Sequence, residues 1–110
     1  MDAVTVAELQ EMAEPFAGEL VKGVVDVAKG TLILDMELHV DGEQLLLSEG
    51  SRQANLWGIN LRPQSFGTDE FVEFDSTINV RPRQENRSRY VEDAAIREQI
   101  LQIVAKVVSS

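Results

Sequence analysis

The sequence contains no cysteine and a single histidine, and these two shortages exclude several kinds of site. Without cysteine, the chain forms no disulfide and offers no thiolate to a metal ion. The lack of cysteine agrees with a reducing compartment, and many proteins also lack cysteine by chance. The lone His39 excludes a metal site built on paired histidines.

Long apolar runs and well-known short motifs are also missing. No apolar segment approaches the roughly 20 residues that a membrane-spanning helix needs. The N-terminal MDAVTVAELQ lacks the basic and apolar regions of a signal peptide. The sequence also has no nucleophile-elbow, phosphate-loop, dinucleotide-binding, zinc-protease or EF-hand motif. We therefore expect a soluble cytoplasmic protein that does not act at a membrane.

The composition is that of an ordinary globular domain. With 110 residues, of which 44% are hydrophobic and 26% are charged, the chain is long enough for one hydrophobic core and too apolar for a disordered protein. No linker, internal repeat or low-complexity tract divides it. We predict a single domain over residues 1–110.

The charges are distributed unevenly along the chain. The net charge is −9, which argues against general binding to nucleic acid. Residues 1–80 contain 4 basic and 15 acidic side chains, a net charge of −11, whereas residues 81–90 contain 4 arginines and 1 glutamate, a net charge of +3. The positive charge is therefore concentrated in one short segment.

Hydrophobic periodicity predicts three helices and four or five strands. Thr5 and Glu8 have the spacing of a capping box at the start of the first helix, and an apolar stripe with helical spacing defines the last helix. A Lys29-Gly30 turn joins the first two strands into a hairpin. The predicted helices cover residues 4–14, 41–50 and 91–108, and the predicted strands cover residues 21–28, 31–40, 56–61, 70–74 and 77–81. The order α-β-β-α-β-β(β)-α indicates a small α+β domain with an antiparallel sheet and helices packed on one face.

The second predicted strand carries a row of polar side chains. Residues two apart in a strand point to the same face, so Asp35, Glu37, His39 and Asp41 would lie side by side. Carboxylates and imidazole bind divalent metal ions, and Asp75 could join this row. His39 and Asp75 are also the candidate catalytic residues for acid–base work. The competing interpretation is a solvated polar face with a surface histidine and no cofactor.

The arginine-rich segment, residues 75–90, reads DSTINVRPRQENRSRY and joins the sheet to the last helix. Guanidinium groups bind carboxylate or phosphate through paired hydrogen bonds, and Asp75 would orient them. The candidate ligand-binding residues are Arg81, Arg87, Arg89, Asn79 and Asn86. The alternative is that these arginines form structural ion pairs with some of the 19 acidic residues.

Four stretches of the sequence resemble a known family. They read LHVDGEQLLLSEGS, LWGINL, EFDSTINVRP and NRSRYVED followed by IREQI. The family consists of small uncharacterised bacterial and archaeal conserved hypothetical proteins, a domain of unknown function, and the resemblance runs from about residue 20 to the C-terminus. It implies a small intracellular prokaryotic protein and brings no activity, cofactor or catalytic residue with it.

The leading functional hypothesis is a non-catalytic binding domain. Its arginine-rich segment would recognise an anionic small molecule or an anionic group on a protein partner. The alternative is a small metal-assisted hydrolase or other enzyme, in which the carboxylates and His39 act on a substrate whose phosphate the arginines bind. A third hypothesis is a homodimer that buries Trp57 and spare apolar helix surface.

Overall fold

The computed structural model describes residues 3–110 and shows a single α+β domain with three α-helices. The helices are α1 (Val6–Met12), α2 (His39–Ser48) and α3 (Ala94–Val107). The strands are β1 (Val4–Thr5), β2 (Val21–Asp26), β3 (Thr31–Leu34), β4 (Leu56–Leu61), β5 (Val72–Glu73) and β6 (Val108–Ser109). No helix within residues 3–110 is long and apolar enough to cross a membrane.

Four of the strands form an antiparallel sheet in the order β3-β2-β4-β5, which confirms the predicted fold class and the predicted hairpin. The edge strand β5 has only two residues, and it pairs with the end of β4 at Asn60 and Leu61. The remaining two strands, β1 and β6, form a small parallel pair that joins the two ends of the chain. Elements from both ends of the chain therefore pack into the main hydrophobic core.

The two faces of the four-stranded sheet carry different layers. On one face, Val25 and its cross-strand partner Trp57 belong to the large core that also contains the buried stripe of α3 and Leu9 of α1. On the opposite face, Val24 packs with Leu46 of α2 in a smaller cluster. The sequence predicted helices on one face. Helices α1 and α3 do cover one face, whereas α2 covers part of the other.

Helix α2 begins earlier than the sequence pattern predicted, and the polar residues predicted to lie side by side on one strand do not do so. The strand predicted over residues 31–40 ends at Leu34, because Asp35 has a φ of +72° and turns the chain out of the extended conformation. Helix α2 then begins at His39. Its Gly42 lies so close to β2 that a Cβ atom there would be 2.9 Å from a methyl carbon of Val24. The prediction of one strand carrying Asp35, Glu37, His39 and Asp41 in a row is therefore wrong.

The last predicted strand, residues 77–81, is also wrong. A 3₁₀ turn at Thr77–Asn79 and a second one at Pro82–Gln84 replace it. The second turn ends at Glu85, which has a left-handed backbone with φ +62° and ψ +23°. Backbone bonds between Arg81 and Asn86 close this loop. The arginine-rich segment is therefore a folded loop.

We expect the substitution Glu85→Gly to raise the free energy of unfolding by about 0.5–1 kcal/mol, because glycine adopts the left-handed conformation without the steric cost that a Cβ atom causes. Urea unfolding with an unchanged m-value would measure this gain. Glu85→Ala is the control, because it removes the charge and keeps the strained Cβ atom. An equal gain for both variants would contradict the steric explanation.

Candidate functional site: a polar pocket on the sheet

The side chain of Asn79 continues the sheet beyond the short strand β5. Its Oδ1 accepts a hydrogen bond from the backbone N–H of Gly58 at 2.8 Å, and its Nδ2 donates to the carbonyl of Gly58 at 3.0 Å. The same Nδ2 donates to the carbonyl of Arg89 at 3.0 Å. Asn79 is fully buried. Its amide group therefore takes the place of a neighbouring strand in the middle of β4.

Gly58 makes this close approach possible. A Cβ atom at position 58 would lie 2.5 Å from the Cβ and Oγ atoms of Ser76 and 3.0 Å from Ile78. Any larger residue would push the 3₁₀ turn away from β4.

The side chain of Asn86 holds the second half of the arginine-rich segment in its folded conformation. Its Nδ2 donates to the carbonyls of Asn79 and Tyr90, both at 2.7 Å, and to that of Ser88 at 3.1 Å. Its Oδ1 accepts from the backbone N–H of Glu92 at 2.8 Å. This asparagine thus ties both ends of the loop together.

Arg81 is also held inside the protein. Its guanidinium group donates to the carbonyls of Ile78, Gln53 and Leu56 and lies over the ring of Trp57, 4.5 Å from the ring centroid. Burial lowers the pKa of Arg81, and the nearby carboxylate of Glu43 opposes this shift. These contacts connect the arginine-rich segment to the core of the domain.

Three of the five candidate ligand-binding residues thus have their polar groups hydrogen-bonded within the protein. They are Asn79, Arg81 and Asn86. The other two, Arg87 and Arg89, are exposed. Of these two, Arg89 alone lines a polar pocket.

We call this cavity the sheet-face pocket. Its volume is about 510 Å³, and it lies on the side of the sheet that α2 leaves partly uncovered. The residues that line it come from the sheet, the start of α2 and the arginine-rich segment: Leu20, Lys22, Leu38, His39, Val40, Asn60, Arg62, Glu73, Asp75, Thr77 and Arg89.

Arg89 is oriented at the rim of the pocket by Asp75. The Nε atom of Arg89 donates to Oδ1 of Asp75 at 2.7 Å, and the two side chains are 57% and 47% exposed. Within residues 3–110, the two terminal amino groups of Arg89 have no hydrogen-bond partner. The guanidinium group is therefore held in place and still has donors to offer.

The floor of the pocket is a polar row across three strands. Lys22, Asn60 and Glu73 are cross-strand neighbours on β2, β4 and β5. Asn60 Nδ2 donates to Glu73 Oε1 at 2.8 Å, and Arg62 binds Glu73 Oε2 through two nitrogens at 2.9 and 3.1 Å. Lys22 Nζ donates to the carbonyl of Glu37 at 2.9 Å.

His39 lies at the wall of the pocket and is buried, so the prediction of a surface histidine is wrong. Its Nε2 donates to the carbonyl of Ile59 at 2.8 Å. Burial lowers the pKa of His39, and Lys22 lowers it further, whereas the hydrogen bond to Ile59 and the side chains of Asn60 and Asp75 oppose the shift. The imidazole is therefore neutral at neutral pH.

The N-cap residue of α2 is of an unusual type for that position. Leu38 is the N-cap residue, it makes no side-chain hydrogen bond to the helix, and it is 55% exposed. Helices normally begin with a side chain that accepts a hydrogen bond from the first turn. Leu38 and Val40 instead place aliphatic side chains at the pocket. The positive end of the α2 dipole therefore lies at the pocket without a side-chain cap.

The five candidate metal ligands do not come together. His39 and Asp75 line the sheet-face pocket, whereas Asp35, Glu37 and Asp41 do not. Within residues 3–110, no group of three or more His, Cys, Asp or Glu side chains is arranged to hold a metal ion. The spacing argument depended on a continuous strand, and the turn at Asp35 removes its basis.

A second cavity, of about 560 Å³, lies between α3 and the loop before β5. Phe66, Phe71 and Leu101 are among its mainly apolar lining residues, and Asp69 is the one charged residue in that lining. None of the candidate site residues lines it. The sheet-face pocket is therefore the better candidate for polar recognition.

Sequence reasoning missed Lys22 and Arg62 as site residues. Each lies in or directly after a mainly apolar strand, and only the cross-strand register brings them next to Asn60 and Glu73. A signal was present, since Lys22 interrupts a valine-rich strand with a charge. Strand order was needed to interpret it.

The fold and the pocket define a small α+β domain with a polar cavity and no recognised catalytic motif. The chain belongs to the family described as "Protein of unknown function (DUF5674)", which matches residues 1–107. This confirms the predicted resemblance to a domain of unknown function, and the match also includes the first helix. Neither a curated protein nor a solved structure matches the chain.

Proposed function

We propose that the protein is a small non-catalytic binding domain whose sheet-face pocket holds an anionic small molecule. The observation that carries this proposal is Arg89, which Asp75 fixes at the pocket with its terminal amino groups available. The sequence-based hypothesis assigned anion recognition to the whole arginine-rich segment. The proposal now assigns it to Arg89 together with Lys22 from the sheet.

The local charge supports an anionic ligand. The pocket lining contains three cationic side chains, Lys22, Arg62 and Arg89, and two carboxylates, Glu73 and Asp75. This is an excess of one positive charge in a protein of net charge −9. Because unlike charges attract and the rest of the surface repels anions, an anion is favoured at this pocket over other parts of the protein.

The enzyme hypothesis is supported by one observation, since His39 and Asp75 line the same pocket. The Nε2 hydrogen of His39 is held by the carbonyl of Ile59, which leaves Nδ1 as the basic atom of the ring. In this second proposal, His39 would act as a general base on a substrate bound by Arg89. Turnover of a bound anion that is lost in His39→Gln would favour it over simple binding.

We expect Arg89→Ala to weaken the binding of a small anion roughly tenfold or more, because a charge-assisted hydrogen bond is lost. The free energy of unfolding should fall by no more than about 1 kcal/mol, since the Arg89–Asp75 pair is exposed. Thermal-shift measurements with inorganic phosphate, acetate and 4-methylpentanoate would detect the binding.

Arg87→Ala is the matched control. Arg87 is an exposed arginine from the same segment, and it does not line the pocket. The proposal requires that an anion-dependent shift survives in Arg87→Ala and disappears in Arg89→Ala. No shift with any anion, or an equal loss in both variants, would refute it. Binding to a protein partner, a homodimer, a cytoplasmic location and a prokaryotic origin stay predictions. The part of the homodimer hypothesis that used Trp57 is wrong, because Trp57 is buried in the core of the domain.

A further inference from the structure

We infer that the ligand of the sheet-face pocket is a free α-amino acid with an aliphatic side chain. This inference rests on the proposed function: the ligand carboxylate is the anionic group that the pocket recognises, and the inference names the rest of the ligand. It follows from three features of the pocket: cationic donors, unpartnered acceptors and aliphatic side chains at one end. A zwitterion with an apolar side chain is complementary to all three.

The unpartnered acceptor atoms of the sheet-face pocket favour a ligand that also donates hydrogen bonds. Asn60 is only 5% exposed, and its Oδ1 has no hydrogen-bond partner within residues 3–110. The orientation of this amide is fixed, because Nδ2 donates to two acceptors, Glu73 Oε1 and the carbonyl of Asp75. A buried carbonyl oxygen without a donor costs free energy. Because this oxygen is closed to solvent, an ammonium group reaches it only when the pocket side chains around it move.

Asn60 and His39 of α2 line the same pocket, and the Asn60 side chain raises the pKa of His39. Asp75 offers a second acceptor, because Arg89 engages Oδ1 and leaves Oδ2 without a partner in the described part of the chain. Two acceptors in one pocket suit the several hydrogens of an ammonium group.

The start of α2 suits the carboxylate and the side chain of the ligand. The first backbone N–H groups of a helix lack partners within the helix, and the helix dipole favours an anion there. Leu38 supplies no side-chain cap, so a ligand carboxylate can take that role with Lys22 and Arg89 close by. Leu38, Val40 and Leu20 then provide an aliphatic surface for the side chain.

The test compares leucine with two analogues that each lack one charged group. 4-Methylpentanoate keeps the carboxylate and the branched chain without the ammonium group, and leucine amide keeps the ammonium group without the carboxylate charge. Isothermal titration of the full chain should show leucine binding roughly tenfold or more tightly than either analogue. Inorganic phosphate serves as the simple anion.

The first of three outcomes separates this inference from the proposed function. If 4-methylpentanoate or phosphate binds as tightly as leucine in an Arg89-dependent manner, the amino-acid inference is wrong and the anion proposal stands. If leucine amide binds as tightly as leucine, the carboxylate is not recognised and both fail. If none of the four compounds binds, both fail as well.

The substitution Leu38→Asp provides an independent test. An aspartate at the N-cap position would accept the first-turn hydrogen bonds itself and repel a ligand carboxylate. The ligand-free variant should melt at the same temperature as the unsubstituted protein or higher, and leucine binding should fall at least tenfold. Asp41→Asn is the control, since it changes a charge in the first turn of α2 outside the pocket lining. Undiminished leucine binding in Leu38→Asp would refute the inference.

Discussion

Asn79→Ala is expected to lower the free energy of unfolding by about 3 kcal/mol, because it leaves several buried backbone groups without partners. Gly58 would lose the partners of both its N–H and its carbonyl, and Arg89 would lose the donor to its carbonyl. Gly58 lies in β4, beyond the two residues of that strand that pair with β5. Within residues 3–110, no other strand pairs with β4 at Gly58 on this side.

Urea unfolding measures this loss of stability. An unchanged m-value would indicate that unfolding of the variant exposes the same amount of surface. Val80→Ala is the control, because Val80 is the next residue and is 43% exposed. Asn79→Asp keeps the acceptor for Gly58 and removes the donors, so it should lose at least 1 kcal/mol. A loss for Asn79→Ala that is no larger than that of Val80→Ala would show that the amide does not support β4.

Arg81→Ala should lower the free energy of unfolding by a similar amount, about 3 kcal/mol, because a buried charged group with several hydrogen bonds is removed. The carbonyls of Gln53 and Leu56 would lose their donor, and Trp57 would lose the guanidinium group stacked on its ring. The buried carboxylate of Glu43 would also lose its nearby positive charge.

Two variants make the measurement specific. Arg81→Lys keeps the positive charge but cannot reproduce the fork of the guanidinium group. We therefore expect it to lower the free energy of unfolding almost as much as Arg81→Ala does. Arg83→Ala removes an exposed arginine two residues away and should change stability by less than about 0.5 kcal/mol. If Arg81→Ala leaves stability unchanged and abolishes anion binding, Arg81 is a ligand residue, as the sequence alone predicted.

The two asparagines and Arg81 show why the sequence could not separate structural from functional polar residues. Exposed and buried arginines look the same in a one-dimensional pattern, and the arginine-rich segment contains both kinds. Two of the carbonyls that Arg81 binds lie 25 and 28 residues away, and Gly58 lies 21 residues from Asn79. Only the folded chain brings them together, so the sequence predicted a possible binding role for all of them.

The wrong strand over residues 31–40 has a related cause. Alternating polar and apolar residues are compatible with a strand, and the sequence carries no strong stop between Leu34 and His39. The turn at Asp35 and the close contact between Gly42 and Val24 start a helix there instead. A contact between distant residues therefore overrode a local pattern.

The sequence by itself determined the α+β class, the hairpin and the stripe of the last helix, because these features depend on periodicity, capping and turns among neighbouring residues. It also located the segment that contains Arg89. The tertiary structure alone decided that Asn79 and Arg81 hold the fold, and that Lys22, Asn60 and Arg89 share a pocket. The physical reason is that these roles depend on cross-strand register and burial, which join residues far apart in the chain.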